Sequence, residues 1–130
     1  MDPKDVADNK VVAVMSYMFI LVAVPVFVGR QSPYVRYHLN QALSLWCLAL
    51  ACLPLACVNF VIGLIPIIGW IIGGLIGMTV FLTLTGFAAY GVYNAATGRC
   101  VPLPIIGTAV TLIETYPPGM APQPRQLPPG

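Results

Sequence analysis

The sequence contains very little charge. Of its 130 residues only 8% are Asp, Glu, Lys or Arg, whereas 58% are apolar; a typical soluble domain carries about 25% charged residues. Six Lys and Arg and four Asp and Glu leave a formal net charge of +2, and they are scattered along the chain. Because nucleic-acid binding needs a clustered basic face, we expect no nucleic-acid partner. So few charges cannot cover a surface in water, and much of this surface must therefore face lipid or a partner.

The sequence also lacks the residues from which most catalytic sites are built. His38 is its only histidine, and Glu114 is the only acidic residue after Asp8. Neither a nucleophile with its base nor a pair of carboxylates can be assembled from this set. We therefore predict that the chain is not an enzyme and that it holds no cofactor.

The four cysteines do not form a pattern typical of a metal site. Cys47, Cys52 and Cys57 lie five residues apart, which spreads them around a helix, and no C-x-x-C pair is present. We interpret them as small apolar residues inside a helix and expect no metal site. Cys100 follows Arg99 just beyond a predicted span, so acylation of its thiol is an alternative there.

Uncharged runs occupy most of the chain. Residues 11–29 contain no charge, and a helix of that length measures about 28 Å, close to the ~30 Å hydrocarbon core of a bilayer. Residues 37–98 also lack charge and would measure about 93 Å as one helix, so this run must fold back. The glycines and proline within residues 63–69 indicate the turn.

These runs predict an all-α integral membrane protein with about three transmembrane helices, over residues 11–29, 39–62 and 67–93. Pro25 is expected to kink or end the first span. Ser32 followed by Pro33 predicts a helix start with a polar, interfacial first turn before the second span. Gly98 is expected to cap the third helix.

The domain organisation that we predict has three parts. Residues 1–10 form a polar N-terminal segment, and residues 11–113 form the helical membrane domain. Within it, residues 101–112 are apolar but too short to span, so they lie at the interface or dock on the helices. Residues 114–130 form a proline-rich tail that we expect to be disordered.

The densest polar cluster lies at the start of the second predicted span. It is the candidate site for a partner or a lipid head group, and its residues are Arg36, Tyr37, His38, Asn40 and Gln41. In this interpretation the guanidinium of Arg36 clamps a phosphate or carboxylate. The alternative is an interfacial anchor, with tyrosines at head-group depth and amides that cap neighbouring helices.

A second constellation is the glycine series Gly69, Gly73 and Gly77. Residues four apart share a helical face, and small residues allow two helices in lipid to approach closely. This pattern predicts a helix-packing face, whose partner belongs to this chain or to another copy. The spans hold no ionisable group, which argues against ion-coupled transport by a single copy.

The motif SPYVRYHLNQA at residues 32–42 resembles the S-P-F-V-R-F-H-A-x-Q-A signature of small, uncharacterised prokaryotic membrane proteins that are similar to the Tic20-type import component of the chloroplast inner envelope. IPIIGW at residues 65–70, and NAATG at 94–98 with PIIG at 104–107, resemble two further motifs of that family. Leu39 stands where a small residue is usual. The resemblance implies a helical membrane domain of unknown activity, located in the bacterial cytoplasmic membrane.

Together these observations predict a packing module that forms a homo-oligomer or docks a partner membrane protein in contact with membrane lipids. The alternative is a channel or protein-translocation component like the plastid relatives. With three spans, Lys4 and Lys10 lie on one side of the membrane and Arg30, Arg36 and Arg99 on the other. The positive-inside rule then places the N-terminus outside.

Overall fold

The computed structural model describes residues 1–18, 21–29, 31–107, 113 and 115. Within these residues all regular secondary structure is helical. The helices are α1 (Pro3–Met15), α2 (Ala23–Val28), α3 (Pro33–Ala51), α4 (Leu53–Gly63) and α5 (Ile68–Thr97). The predicted tail, residues 114–130, lies outside the described residues apart from Thr115.

The polar N-terminal segment is helical rather than a separate extended piece. Asp2 caps α1 by accepting a hydrogen bond from the Lys4 backbone N–H at 2.9 Å, and Pro3 occupies the first helical position. α1 then runs into the apolar stretch and ends at Met15. The helix therefore joins the predicted segment 1–10 to the first part of the predicted span 11–29.

The first predicted span is not a continuous helix. After Met15 the chain turns at residues 16–18, and a separate six-residue helix, α2, contains Pro25 in its first turn. The turn brings Ser16 and Tyr17 into the protein interior, where they are 0% and 7% exposed. Two helical segments, Pro33–Gly63 and Ile68–Thr97, are long and apolar enough to cross a membrane, and a third span is not confirmed in the described residues.

α3 and α4 follow one another as an interrupted rod that contains the second predicted span. The interruption lies at Cys52, two residues before Pro54, which has no N–H to donate to the preceding turn. Helical hydrogen bonding resumes directly after the interruption, because the Ala56 N–H bonds to the Cys52 carbonyl at 2.9 Å. The rod is therefore interrupted at this point without being reversed.

The reversal occurs at the predicted turn between α4 and α5. The Ile68 N–H bonds to the Pro66 carbonyl at 2.9 Å across Ile67, whose φ is +67°. The same arrangement recurs after α5, where the Ile106 N–H bonds to the Pro104 carbonyl at 2.8 Å across Ile105, with φ +69°. Both are γ-turns, and both are formed by the sequence Pro-Ile-Ile-Gly.

The interior of the protein lies at one end of the helices, which we call the head and which consists of residues 1–18, 21–29, 31–45 and 88–107. Its apolar core is formed by Ala13, Tyr17, Tyr34, Val35, Ala42, Leu45, Ala95 and Leu103. The rest, residues 46–87, is the hairpin. Among the described residues of the hairpin only Gly69 and Gly73 are buried, whereas most of its large apolar side chains are exposed.

The head brings together cations that we predicted on opposite sides of the membrane. The Asp5 carboxylate accepts a hydrogen bond from the Tyr34 backbone N–H at 3.2 Å. A Cβ placed on Gly98, next to Arg99, would lie 3.4 Å from Cε of Lys10. No bilayer fits between groups in contact, so the predicted separation of Lys4 and Lys10 from Arg36 and Arg99 is wrong. Arg30 lies outside the described residues.

Candidate functional site

The candidate site is built on the first three turns of α3. Ser32 caps this helix as predicted, because its Oγ accepts a hydrogen bond from the Val35 N–H at 3.2 Å. Asp5 of α1 supplies a second acceptor, for the N–H of Tyr34. A carboxylate at a helix N-terminus also interacts favourably with the helix dipole. Asn9 holds Asp5 in place by donating to its Oδ1 at 3.0 Å, so α1 fixes the start of α3.

His38 lies at the centre of an aromatic cluster and is fully buried. Its Nδ1 shares a hydrogen bond of 3.1 Å with the Tyr17 hydroxyl. The rings of Tyr34 and Tyr37 meet the imidazole edge-to-face, with centroids 4.7 and 5.3 Å away. Nε2 is buried and has no hydrogen-bond partner within the described part of the chain. This histidine therefore joins the turn after α1 to α3 and is not accessible to a ligand from solvent.

Tyr34 connects the same cluster to the end of α5. Its hydroxyl donates to the Ala95 carbonyl at 2.6 Å, and its side chain is fully buried. The last carbonyls of a helix lack partners within the helix, so this bond satisfies one of them. The tyrosine thus ties the start of one apolar helix to the end of the other.

The two amides of the predicted site bind the chain that follows α5. Gln41 accepts from the Leu103 N–H at 2.9 Å and donates to the Gly107 carbonyl at 2.6 Å. Asn40 pairs in the same way with both backbone groups of Ile113, accepting from its N–H at 2.9 Å. Each side chain therefore satisfies one donor and one acceptor of a backbone segment. We call residues 101–107 with Ile113 the strap.

Arg36 and Tyr37 are placed differently from the other members of the predicted site, because both are only half-buried. Arg36 lines a cavity of about 310 Å³ whose other walls are apolar, from Pro25, Gly29, Leu39 and Ile113. Among the described lining residues Arg36 is the one that carries a charge, and such a lining suits an anionic group attached to an apolar body. The structure thus divides the predicted set into an interior part and a half-exposed part.

The predicted packing face, Gly69, Gly73 and Gly77, lies against α4 of the same chain. A Cβ on Gly69 would stand 2.0 Å from the Ile62 carbonyl oxygen, and one on Gly73 would stand 3.2 Å from Oδ1 of Asn59. Gly77 meets the same amide at 3.6 Å. Oδ1 of Asn59 is buried without a hydrogen-bond partner among the described residues. The close approach of α4 and α5 therefore uses this glycine series.

Sequence reasoning missed Asp5 and Tyr17 as contributors to the site. Asp5 was read as part of a polar terminus, and Tyr17 as one residue of a span. The one available signal was the polar pair Ser16 and Tyr17 inside an otherwise apolar run. The partners of Asp5 and Tyr17 on α3 are 29 and 21 residues away along the chain, beyond the reach of local patterns.

Cys100 sits beside this cluster and is half-buried. Burial raises the pKa of its thiol. Because the thiolate is the nucleophilic form, this shift lowers the reactive fraction at neutral pH, and acylation of Cys100 stays a prediction from the sequence.

Comparison of the chain with protein-family models, with curated proteins and with solved structures finds no match. The resemblance of its motifs to the Tic20-like family therefore stays a prediction from the sequence.

Proposed function

We propose that this protein is a non-enzymatic, membrane-embedded packing module that associates with a second copy of itself through the hairpin. The observation that carries the proposal is the contrast in burial along α4 and α5. The hairpin contains no charged residue, and its large side chains remain exposed, including Phe60, Trp70 and Phe81 at 72%, 68% and 63%. Such a surface is stable only against lipid or another apolar helix.

The face available for association differs from the glycine series that the sequence suggested. Gly69 and Gly73 are already covered by α4. Gly74 and Gly86 point away from the rest of the chain, since a Cβ on either would meet no atom within 4 Å. Twelve residues separate them, which places them about 120° apart around the helix, so they do not form one face. We therefore place the contact with a second copy at Gly74, where a small residue allows close helix packing.

A conduit, the alternative function, receives less support. Thr79 and Thr83 donate to carbonyls of their own helix at 2.8 Å, so their hydroxyl protons are already used within α5. A cavity of about 350 Å³ between the two arms of the hairpin is lined almost entirely by apolar side chains, and Asn59 is its one amide. A hydrated pathway would need polar groups contributed by several copies.

The proposed location is the bacterial cytoplasmic membrane, as the resemblance to Tic20-like proteins implies. At its boundary we propose that Arg36 binds a lipid phosphate through its guanidinium fork. The half-exposed position of Arg36 beside an apolar cavity supports this role. His38, Asn40 and Gln41 then act by holding α3 and the strap in place rather than by contacting the lipid.

Native mass spectrometry of the full chain in lipid nanodiscs tests the association. We expect two or more copies in one particle, and a reduced share of them for Gly74→Leu. The control Leu75→Met changes an exposed neighbour at nearly constant volume and should leave the distribution unchanged. A chain that is always monomeric and carries no other membrane protein would contradict the proposal, whereas a different membrane protein in the particle would replace the second copy as the partner.

Native mass spectrometry also tests the proposed lipid site at Arg36. Arg36→Lys keeps the charge but loses the planar fork, so we expect retained anionic lipids to decrease while the thermal melt stays unchanged. Arg99→Lys is the matched control, because Arg99 is exposed and its guanidinium lies over the Tyr93 ring at 5.8 Å. Equal lipid retention by Arg36→Lys and the wild type would leave Arg36 as an interfacial anchor only.

A further inference from the structure

All charged residues that the structure describes lie in the head. They are Asp2, Lys4, Asp5, Asp8, Lys10, Arg36 and Arg99. The opposite end of the molecule, the turn at residues 63–68, consists of glycine, proline, leucine and isoleucine. Among the described residues the head and the turn thus differ completely in charge, and only the head is suited to bulk water.

The length of each arm matches one hydrocarbon core. From Trp70 to Tyr90, α5 advances about 30 Å, at 1.5 Å per residue. The other arm, from Gln41 to Gly63, advances about 33 Å. The hydrocarbon core is about 30 Å thick. If the head rests at one interface, the turn therefore reaches the opposite interface and does not extend beyond it.

Aromatic residues mark both levels on α5. Tyr90 and Tyr93 are 39% and 53% exposed next to the head, and Trp70 is 68% exposed next to the turn. Tyr and Trp are enriched at the two membrane–water interfaces, where an amphipathic ring has both an apolar and a polar neighbour. Their separation along the helix is the separation that two interfaces require.

The backbone of the turn also suits a site with little water. The N–H groups of Leu64, Ile65 and Ile68 are bonded to carbonyls of residues 61–66, and Pro66 has no N–H. Because an unpaired backbone group is costly in lipid, these bonds lower the cost of placing the turn at the boundary of the hydrocarbon region.

We infer that the chain meets the bilayer from one side only. α1 and the strap face the same compartment, and the turn ends at the far head-group level with Trp70 there and no hydrophilic loop beyond it. The described Lys and Arg residues are all on the near side, so the positive-inside rule makes that compartment the cytoplasm. The inference rests on the proposed membrane location, and it replaces the three-span orientation with a two-arm insertion.

Cysteine accessibility tests the orientation in the full chain. With the four native cysteines replaced by alanine, the exposed positions Asp8→Cys, Val101→Cys and Leu64→Cys are labelled one at a time with a membrane-impermeant maleimide. We expect Asp8→Cys and Val101→Cys to react in inverted vesicles and to be protected in intact cells. Leu64→Cys should lose reaction from both sides and regain it in detergent. Reaction of the first two from opposite sides would overturn the inference, as would full reaction of Leu64→Cys from outside.

Carbonate extraction of the same vesicles separates this inference from the proposed function. Release of the protein from the membrane would contradict the membrane location whatever the labels show. Retention combined with opposite-side labelling would contradict only the one-sided insertion. Reporter fusions at the two termini provide a second measurement that changes no residue of the head or the hairpin, and they should report the same compartment.

Discussion

The head and the hairpin are stabilised by different kinds of contact. The head buries polar side chains, among them His38, Gln41 and Asn94, and joins distant segments by side-chain hydrogen bonds. The hairpin buries only glycines among its described residues and leaves its apolar side chains exposed. In the head, hydrogen bonds between particular side chains and backbone groups determine which segments meet. In the hairpin, the close approach of the α4 and α5 backbones determines it, and lipid or another protein must cover the exposed apolar side chains.

The largest effect should come from Gly69→Ala at the closest approach in the hairpin. The new Cβ would meet the Ile62 carbonyl oxygen at 2.0 Å, so α4 and α5 must separate. We expect a loss of about 3 kcal/mol in the free energy of unfolding, measured by detergent-induced unfolding followed by circular dichroism.

Gly86→Ala is the matched control, because it lies on the same helix and meets nothing within 4 Å. It should be neutral or more stable by up to about 1 kcal/mol, since alanine favours a helix over glycine. Equal changes in the free energy of unfolding for the two variants would show that the close approach of the α4 and α5 backbones does not stabilise the hairpin.

A smaller loss, about 2 kcal/mol, is expected for Gly91→Ala in the head. Its Cβ would lie 2.2 Å from the Tyr17 ring and would push the ring away from His38. Gly86→Ala, five residues earlier on α5, meets nothing within 4 Å and is the control. The comparison of the two regions would fail if Gly91→Ala were as stable as Gly86→Ala in the same unfolding measurement.

Gln41→Leu should act locally, on the strap. The side-chain volume is nearly kept, but the Leu103 N–H and the Gly107 carbonyl lose their partners, at a cost of about 1–3 kcal/mol for a buried group. Hydrogen exchange at residues 103 and 107 should accelerate. Asn40→Leu should accelerate exchange at residue 113 and leave 103 and 107 protected, and identical exchange patterns in the two variants would refute separate roles for the amides.

The smallest expected effect on stability belongs to Trp46→Phe, which leaves Trp70 as the only tryptophan. Spin labels at defined depths in the lipid should quench this tryptophan most strongly when they lie near the head groups, because it sits at the far interface. Trp70→Phe, which leaves Trp46, should shift the strongest quenching to labels deeper in the near leaflet, because Trp46 lies about 7.5 Å along the helix beyond Gln41. Strongest quenching of Trp70 by a label at the bilayer centre would show that the hairpin stops short of the far side.

Local features of the fold followed from the sequence. Ser32 and Pro33 begin α3, and Gly98 caps α5 in a left-handed conformation, as their residue types indicate. The reversal near Pro66 was likewise predicted from its proline and glycines. Each depends on backbone geometry within a few residues, which the residue types themselves determine.

Whether residues 11–29 cross the membrane or pack against the protein core could not be predicted in the same way. An apolar run long enough to cross lipid is equally able to cover a protein core, and composition does not distinguish the two. The contacts that decide it join residues far apart, such as Tyr17 with His38, or Tyr34 with Ala95 across 61 positions. The sequence pointed to the polar residues of the candidate site. It could not predict that these residues are buried, because their burial depends on those distant contacts.

The two γ-turns have a consequence for how the protein responds to its surroundings. Ile67 and Ile105 hold positive φ values that branched side chains rarely adopt, at a cost of roughly 1–3 kcal/mol each, and they are 69% and 93% exposed within the chain. Little of either side chain is covered by the described residues, so an apolar molecule that covers them would add stability to the turns. We therefore expect the two ends of α5 to respond to their surroundings, with the turn geometry more favoured where hydrocarbon covers the isoleucines than where water does.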